Sequence, residues 1–196
     1  MSETALLSKA KNFARARLSG KRYGHTLRVA DTTERLAAIH ELDAVRARLA
    51  ALLHDAARET EPEELLRLAR KWKLPVDEFE RENLKLLHGP VAAEMARREL
   101  GVEDEEVLDA IRSHTTGEPG MGLLALALYV ADKIEPARDY PSAGRLRKLA
   151  ETSLEEAAAE ALRTAVAYNE QRGRRMHPAS LKTLAWLEKS SERRVE

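Results

Sequence analysis

Residues 50–60 read Ala-Ala-Leu-Leu-His-Asp-Ala-Ala-Arg-Glu-Thr, so a histidine and an aspartate stand side by side in a run that otherwise reads as buried helix. An ionised carboxylate enclosed by aliphatic side chains costs several kcal/mol unless a cation or hydrogen-bond donors meet it. Asp132 poses the same problem, because it follows Leu123-Leu124-Ala125-Leu126-Ala127-Leu128-Tyr129-Val130-Ala131. Its neighbour Lys133 lies about 100° further around the helix and is expected to be a poor local partner. Four of the six histidines, His25, His54, His88 and His114, begin, end or interrupt apolar helical stripes. Imidazole and carboxylate suit hard or borderline divalent ions, and the chain has no cysteine to offer a thiolate site. A single buried histidine is more often a packing residue than a ligand. Four of them with two buried aspartates, none beside an obvious local counter-charge, read together as one shared metal site.

The elements that must position these residues are helices. Apolar residues make up 43% of the 196, enough for a core, and they are mostly alanine and leucine, which favour helix. Nearly every segment carries the helical period and none alternates convincingly as a strand. A polar amphipathic opener covers 3–18. Ser-Gly-Lys-Arg-Tyr-Gly-His (19–25) reads as a break, with His25 opening a helix from about Thr26 to His40. Asp43 caps a helix ending near Arg58, and Thr60 caps the next, with Pro62 just inside and Trp72 near its end. A short helix runs toward Leu87. Pro90 opens a helix that stops at Gly101, and Asp104 begins another whose stripe runs through Val107, Leu108 and Ile111 to His114. Residues 121–135 form a central helix apolar on all sides, disrupted at Pro136. Ser153 and Glu156 make a capping box, and a last helix starts near Pro178. The expectation is an all-α bundle of roughly ten helices forming a single domain over 1–196, with its core at about 15–188. Helix ends in such a bundle converge on one cleft.

Lys plus Arg equals Asp plus Glu, so no bulk basic field points to a nucleic-acid polymer. No apolar stretch reaches membrane-spanning length, and the N-terminus lacks a signal pattern. A soluble cytoplasmic protein is expected.

The order His25, His54-Asp55, His88, His114, Asp132 resembles the HD superfamily of metal-dependent phosphohydrolases. The blocks Tyr-Gly-His-Thr-Leu-Arg-Val-Ala (23–30), Leu-Leu-His-Asp (52–55), Leu-Leu-His-Gly-Pro-Val-Ala-Ala (86–93), Ser-His-Thr-Thr-Gly (113–117), Ala-Asp-Lys-Ile-Glu-Pro-Ala-Arg (131–138) and Met-His-Pro (176–178) are similar to its YqeK-type branch, the symmetrical diadenosine tetraphosphate hydrolases. The likeness covers about residues 15–188. It implies an HD-domain bundle with metal ligands at His25, His54, Asp55 and Asp132, iron as the typical ion, manganese or another divalent ion as alternatives, and one or two ions. It implies that His88 and His114 act near the phosphates or a second ion, and that Thr115, Thr116, Gly117 and Arg138 contact the nucleotide product. Water activated by the ion would cut the dinucleoside polyphosphate at its middle, giving two ADP. Arg58 stands where the branch usually has lysine and is expected to serve phosphate, unless it pairs with Asp55 or Glu59. Residues 139–144, Asp-Tyr-Pro-Ser-Ala-Gly, depart from the Phe-Pro-Gly of the branch.

Two rivals stay open: an HD-type enzyme for guanosine polyphosphates, deoxynucleotides or cyclic dinucleotides, and a catalytically silent helical sensing module. A homodimer is also open. His40 is expected at the surface, Trp72 and Trp186 in the core or an interface, and His177 receives no role.

Overall fold

The computed structural model of the chain describes residues 2–192. Among them the helix-forming composition gives eleven α-helices, one 3-10 turn and no strand. In chain order they are α1 (Glu3–Arg17), α2 (Gly20–Ile39), α3 (Ala44–Leu53), α4 (Pro62–Lys71), α5 (Glu78–Glu82), the 3-10 turn Leu84–Leu87, α6 (His88–Leu100), α7 (Glu105–Ser113), α8 (Leu123–Ile134), α9 (Ala143–Ala150), α10 (Leu154–Glu170) and α11 (Pro178–Glu192). None is long and apolar enough to cross a membrane.

Local chemistry sets most of the ends. Asp43 accepts from the Val45 and Arg46 amides, Asp104 from Val107, and Ser153 from Glu156, so each satisfies amides that a helix start leaves unpaired. Asp77 and Glu80 form a reciprocal capping box at α5. Gly101 closes α6 in the left-handed region at φ 70°, where a side chain would be strained.

α3 and α8 are the most enclosed elements. Ala47, Leu49, Ala50, Ala51, Leu52 and Leu53 are buried in α3, and α8 buries every residue from Leu124 to Ala131. Their many alanines let neighbouring backbones come close. α2 packs on α3 and α8, α7 packs on α3, α6 and α8, and α10 joins α8 to α9 and α11.

Several expectations change. Residues 19–25 are not a break: α2 begins at Gly20 with Ser19 as its cap, so His25 lies in the second turn. Glycine in a helix costs only about 1 kcal/mol, and the packing of α2 on α3 and α8 outweighs it. α3 ends at Leu53, and tight i-to-i+3 bonds (Arg58 N to Asp55 O, 2.8 Å) carry the chain through the His-Asp pair. Glu61, not Thr60, is the cap position of α4, and no side chain caps it. α6 begins at His88, two residues before Pro90. At α10 the Ser153 half of the box is formed. α9 is an element the sequence reading does not name; Ala143, Leu146 and Ala150 form its buried stripe. His40 is half-buried, its Nε2 donating to the Ala150 carbonyl at 2.7 Å. Trp72 and Trp186 pack against the core.

Asp104 both caps α7 and pairs with Arg46 at 2.6 Å across to α3. Asp104→Ala is expected to cost about 1 kcal/mol, most of it from the lost cap. A urea midpoint equal to that of the parent protein would show that the cap contributes nothing.

Candidate metal centre

Five elements deliver polar side chains to one point. His25 sits on the face of α2 that Val29, Thr32 and Leu36 continue inward. His54 and Asp55 leave the end of α3, His88 starts α6, His114 follows α7, and Asp132 lies in the last turn of α8. His25, His54 and Asp55 offer ligand atoms all within 4.8 Å of one another, and so do Asp55, His88 and His114. Asp55 is the shared member. Its Oδ2 is 3.5 Å from His54 Nε2 and 3.9 Å from His25 Nε2, while its Oδ1 is 3.4 Å from His88 Nε2 and 3.8 Å from His114 Nε2. Asp132 Oδ1 joins at 3.0 Å from His25 Nε2.

The backbone sets which imidazole nitrogen is bare. His54 Nδ1 donates to Ala51 O at 2.6 Å, His88 Nδ1 to Lys85 O at 2.6 Å, and His114 Nδ1 to Ile111 O at 2.7 Å. Each acceptor lies three residues back, in the last turn before the ring, and Lys85 O also accepts the His88 amide. His25 Nδ1 donates instead to Glu135 Oε1 at 3.1 Å. With Nδ1 protonated on all four rings, every Nε2 is a lone pair turned toward the aspartates. Two acceptor pairs then stand in contact, His25 Nε2 with Asp132 Oδ1 at 3.0 Å and His88 Nε2 with His114 Nε2 at 3.1 Å. The Nε2 atoms of His25 and His54 are buried without a hydrogen bond. Converging lone pairs repel unless a cation lies among them, so the donor set fits a divalent ion. Outer hydrogen bonds that fix imidazole tautomers are what metal sites of this type use.

Without an ion, a second proton on a ring answers the same crowding by turning Nε2 into a donor to the aspartates, and the titration behaviour is that of this protonated form. Burial pushes the Asp55 carboxyl up, but the charge of His54 and hydrogen bonds from His54 and His88 hold it far below the ordinary range. Burial acts against Asp132 likewise and is outweighed by the Lys133 charge and the His25 hydrogen bond. Burial lowers His54, yet the adjoining Asp55 charge raises it overall. His114 is held well below its usual value by burial and by His88.

The expectation that Lys133 is a poor partner for Asp132 is overturned. Lys133 Nζ lies 2.7 Å from Asp132 Oδ2, because its four-carbon stem curls back past Tyr129 and spans the angular gap. Arg138 Nη2 meets Asp132 Oδ1 at 3.1 Å, and Arg22 Nη1 meets Asp55 Oδ2 at 3.1 Å. The cluster holds because the groups converge, not because its carboxylates are unpaired.

Sequence reading missed Glu135. It is 2% exposed, accepts from Arg28 Nε at 2.6 Å, and orients His25. Burial raises its carboxyl, but hydrogen bonds from Arg28, the Ala137 amide and His25 bring it down to about 2. A charged residue three places after Asp132 and directly before Pro136 was the available signal. Arg147 of α9 was missed too. It donates to the carbonyls of Ile134, Glu135 and Arg138, tying down the end of α8 that carries Asp132.

Arg58 pairs with neither Asp55 nor Glu59. It lies over His88, 3.4 Å from Nδ1, and makes no carboxylate pair among the described residues. Thr115 Oγ1 lies 3.1 Å from His114 Nε2 and 3.3 Å from His88 Nε2, and Thr116 lines the adjoining cleft. Gly117 does not line the cleft that Thr115 and Thr116 line. At φ 71° it packs on Thr183, whose Cγ2 would be 2.9 Å from an added Cβ. His177 pairs with Asp77 at 3.0 Å, packs on Phe79 and lines the cleft.

A sequence model of the HD domain matches residues 22–137, well over half of the chain. The chain belongs to the HD domain family. This HD domain is 39% identical to a Bacillus subtilis protein named bis(5'-nucleosyl)-tetraphosphatase, symmetrical, over 87% of this chain and 91% of that one. It is 37% identical to a protein of the same name from Halalkalibacterium halodurans, over 89% and 93%. A Clostridium acetobutylicum crystal structure, described as a predicted HD superfamily hydrolase involved in NAD metabolism, superposes with a TM-score of 0.90 at 33% identity, covering 93% of this chain and 97% of that one.

Two variants probe how this HD domain is assembled. Glu135→Ala removes the acceptor for His25 Nδ1 and is expected to weaken metal retention about 10–100-fold, read as metal left after dialysis against a graded chelator. Retention equal to the parent's would remove Glu135 from the site. At Gly89 an added Cβ would stand 2.8 Å from the Arg112 carbonyl of α7. Gly89→Ala should therefore push α6 off α7, separate His88 from His114, and cost about 1–3 kcal/mol in thermal unfolding. An unshifted melting curve would show that the helices can part freely.

Proposed function

We propose that this HD domain is a metal-dependent hydrolase that cleaves diadenosine tetraphosphate symmetrically into two ADP. The observation that carries the reading is the cleft joined to the metal centre. It has a volume of about 1060 Å³ and reaches the centre through Arg58, Thr115 and Lys133. Arg58, Arg81, Lys85, Lys133, Arg174 and Arg175 line it against one carboxylate, Glu82. A chain of zero net charge thus concentrates cations along one groove, as a polyphosphate requires. Phe79 and Tyr129 add ring surface in the same wall. Relatives named for the symmetrical activity support the choice of substrate.

His25, His54, Asp55 and Asp132 would hold the ion, and iron suits a mixed imidazole–carboxylate set. When bound, a divalent ion supplies Lewis acidity and a water of lowered pKa. The chain's own residues do the rest. Arg58, free of carboxylates and forked, pairs two phosphoryl oxygens at once. Thr115 offers its hydroxyl at the junction of cleft and centre. The bare Nε2 atoms of His88 and His114 suit a second ion better than hydrogen bonding to phosphoryl oxygen, because their only ring hydrogens are engaged by Lys85 O and Ile111 O. Arg138, set by Asp132 at 3.1 Å, stands at the edge of the centre where a phosphate would meet it. On this reading the protein works in the cytoplasm on a soluble nucleotide, with neither a membrane nor a nucleic-acid polymer as partner.

The test separates products after incubation of metal-loaded protein with diadenosine tetraphosphate, ATP and a guanosine polyphosphate. ADP should dominate from the first, and chelation should stop turnover until iron(II) is restored. ATP and AMP as the main products, or faster turnover of the guanosine compound, would overturn the assignment. Asp132→Ala should lose metal and turnover together while far-ultraviolet circular dichroism persists; undiminished turnover would exclude Asp132 from the site.

A further inference from the structure

Symmetrical cleavage leaves a nucleoside diphosphate on each side of the broken bond. The long cleft offers room and charge for one of them. A second cleft, of about 340 Å³, reaches the centre by a different route, through Arg22 and Arg138. The two clefts share no lining residue. Lys21, Arg22, Arg28 and Arg138 line the second against two carboxylates, Glu59 and Glu135.

Three of these cations are already held in place. Arg22 is set by Asp55 at 3.1 Å, Arg138 by Asp132 at 3.1 Å, and Arg28 by Glu135 at 2.6 Å. Both carboxylates are engaged as well, Glu135 by Arg28 and Glu59 by the amide and hydroxyl of Ser19 at 2.5 and 2.7 Å. Lys21, exposed in the first turn of α2, makes no ion pair among the described residues. The cleft therefore carries pre-set guanidinium groups, a net positive lining and one unengaged ammonium at its mouth. That is the chemistry of a diphosphate site.

We infer that this second cleft binds the other nucleoside diphosphate half of a two-ended substrate, with Arg22 and Arg138 on the phosphate nearest the centre and Lys21 on the outer phosphate. The inference rests on the proposed activity. In the reaction, the oxygen of water bonds to one central phosphorus as that phosphorus parts from the bridging oxygen. The bridging oxygen leaves with the electron pair on the opposite half, and the protons of water pass to solvent. One half stays in each cleft until release. A single-ended nucleotide needs only the long cleft, so Lys21 distinguishes two-ended from single-ended substrates.

The experiment uses the metal-loaded full chain. Equilibrium dialysis with labelled ADP should give two ADP per chain for the parent, with one of the two held about tenfold more weakly in Lys21→Glu. The same variant should raise KM for diadenosine tetraphosphate about tenfold with kcat little changed, the signature of lost uniform binding; Lys21→Arg should behave as the parent. One ADP per chain in a parent protein that does release ADP, or an unchanged KM in Lys21→Glu, overturns the second cleft and leaves the activity standing. A parent protein that makes no ADP from diadenosine tetraphosphate takes both readings down.

Discussion

Four imidazoles turn unprotonated nitrogens toward one carboxylate, and the protein by itself gives those lone pairs too little positive charge to share. That constraint organises the rest. Three of the rings surrender their Nδ1 hydrogens to carbonyls three residues back, and the fourth gives its hydrogen to Glu135. Helix ends thus do two things at once. They occupy a carbonyl of the preceding turn, and they leave Nε2 as the only free nitrogen. The surrounding bundle brings three such ends together with His25 of α2 and Asp132 of α8.

Holding them there takes close packing. Gly89 lets α6 lie against the Arg112 carbonyl of α7, which brings His88 and His114 into contact. Alanines in α3 and α8 allow the same closeness at the centre. Arg147, Arg138 and Glu135 bind the end of α8 to its surroundings, so Asp132 is fixed by both its backbone and its side chain. Interiors this dense transmit a displacement rather than absorb it.

Charge is arranged on a larger scale by the same economy. Overall neutrality hides two basic clefts that meet the centre at different cations. Carboxylates of the centre hold Arg22, Lys133 and Arg138 at the boundary between centre and clefts, so these side chains are positioned before any anion arrives. Arg58 and Lys21, one at each cleft, make no ion pair among the described residues. Fixed charges in a partly dry site act more strongly on phosphate than mobile ones in water.

Read from sequence, the helical class, most caps and the six convergent residues were legible because each depends on short-range rules: the 3.6-residue period, the capping chemistry of Asp43 and Asp104, and the anomaly of acids in apolar runs. Residues 19–25 read as a break because glycine weighs locally against helix, while burial of His25 and Val29 weighs for it and cannot be seen along the chain; no local signal marks α9, whose helix rests on burial of Leu146 and Ala150. The partners of Asp55 and Asp132, the tautomer of each ring, the roles of Glu135 and Arg147, and the separation into two clefts all rest on distances between residues far apart in sequence. Sequence alone determined which groups were available for chemistry. Tertiary structure alone decided which atoms face one another, because proximity and direction arise only when the helices pack.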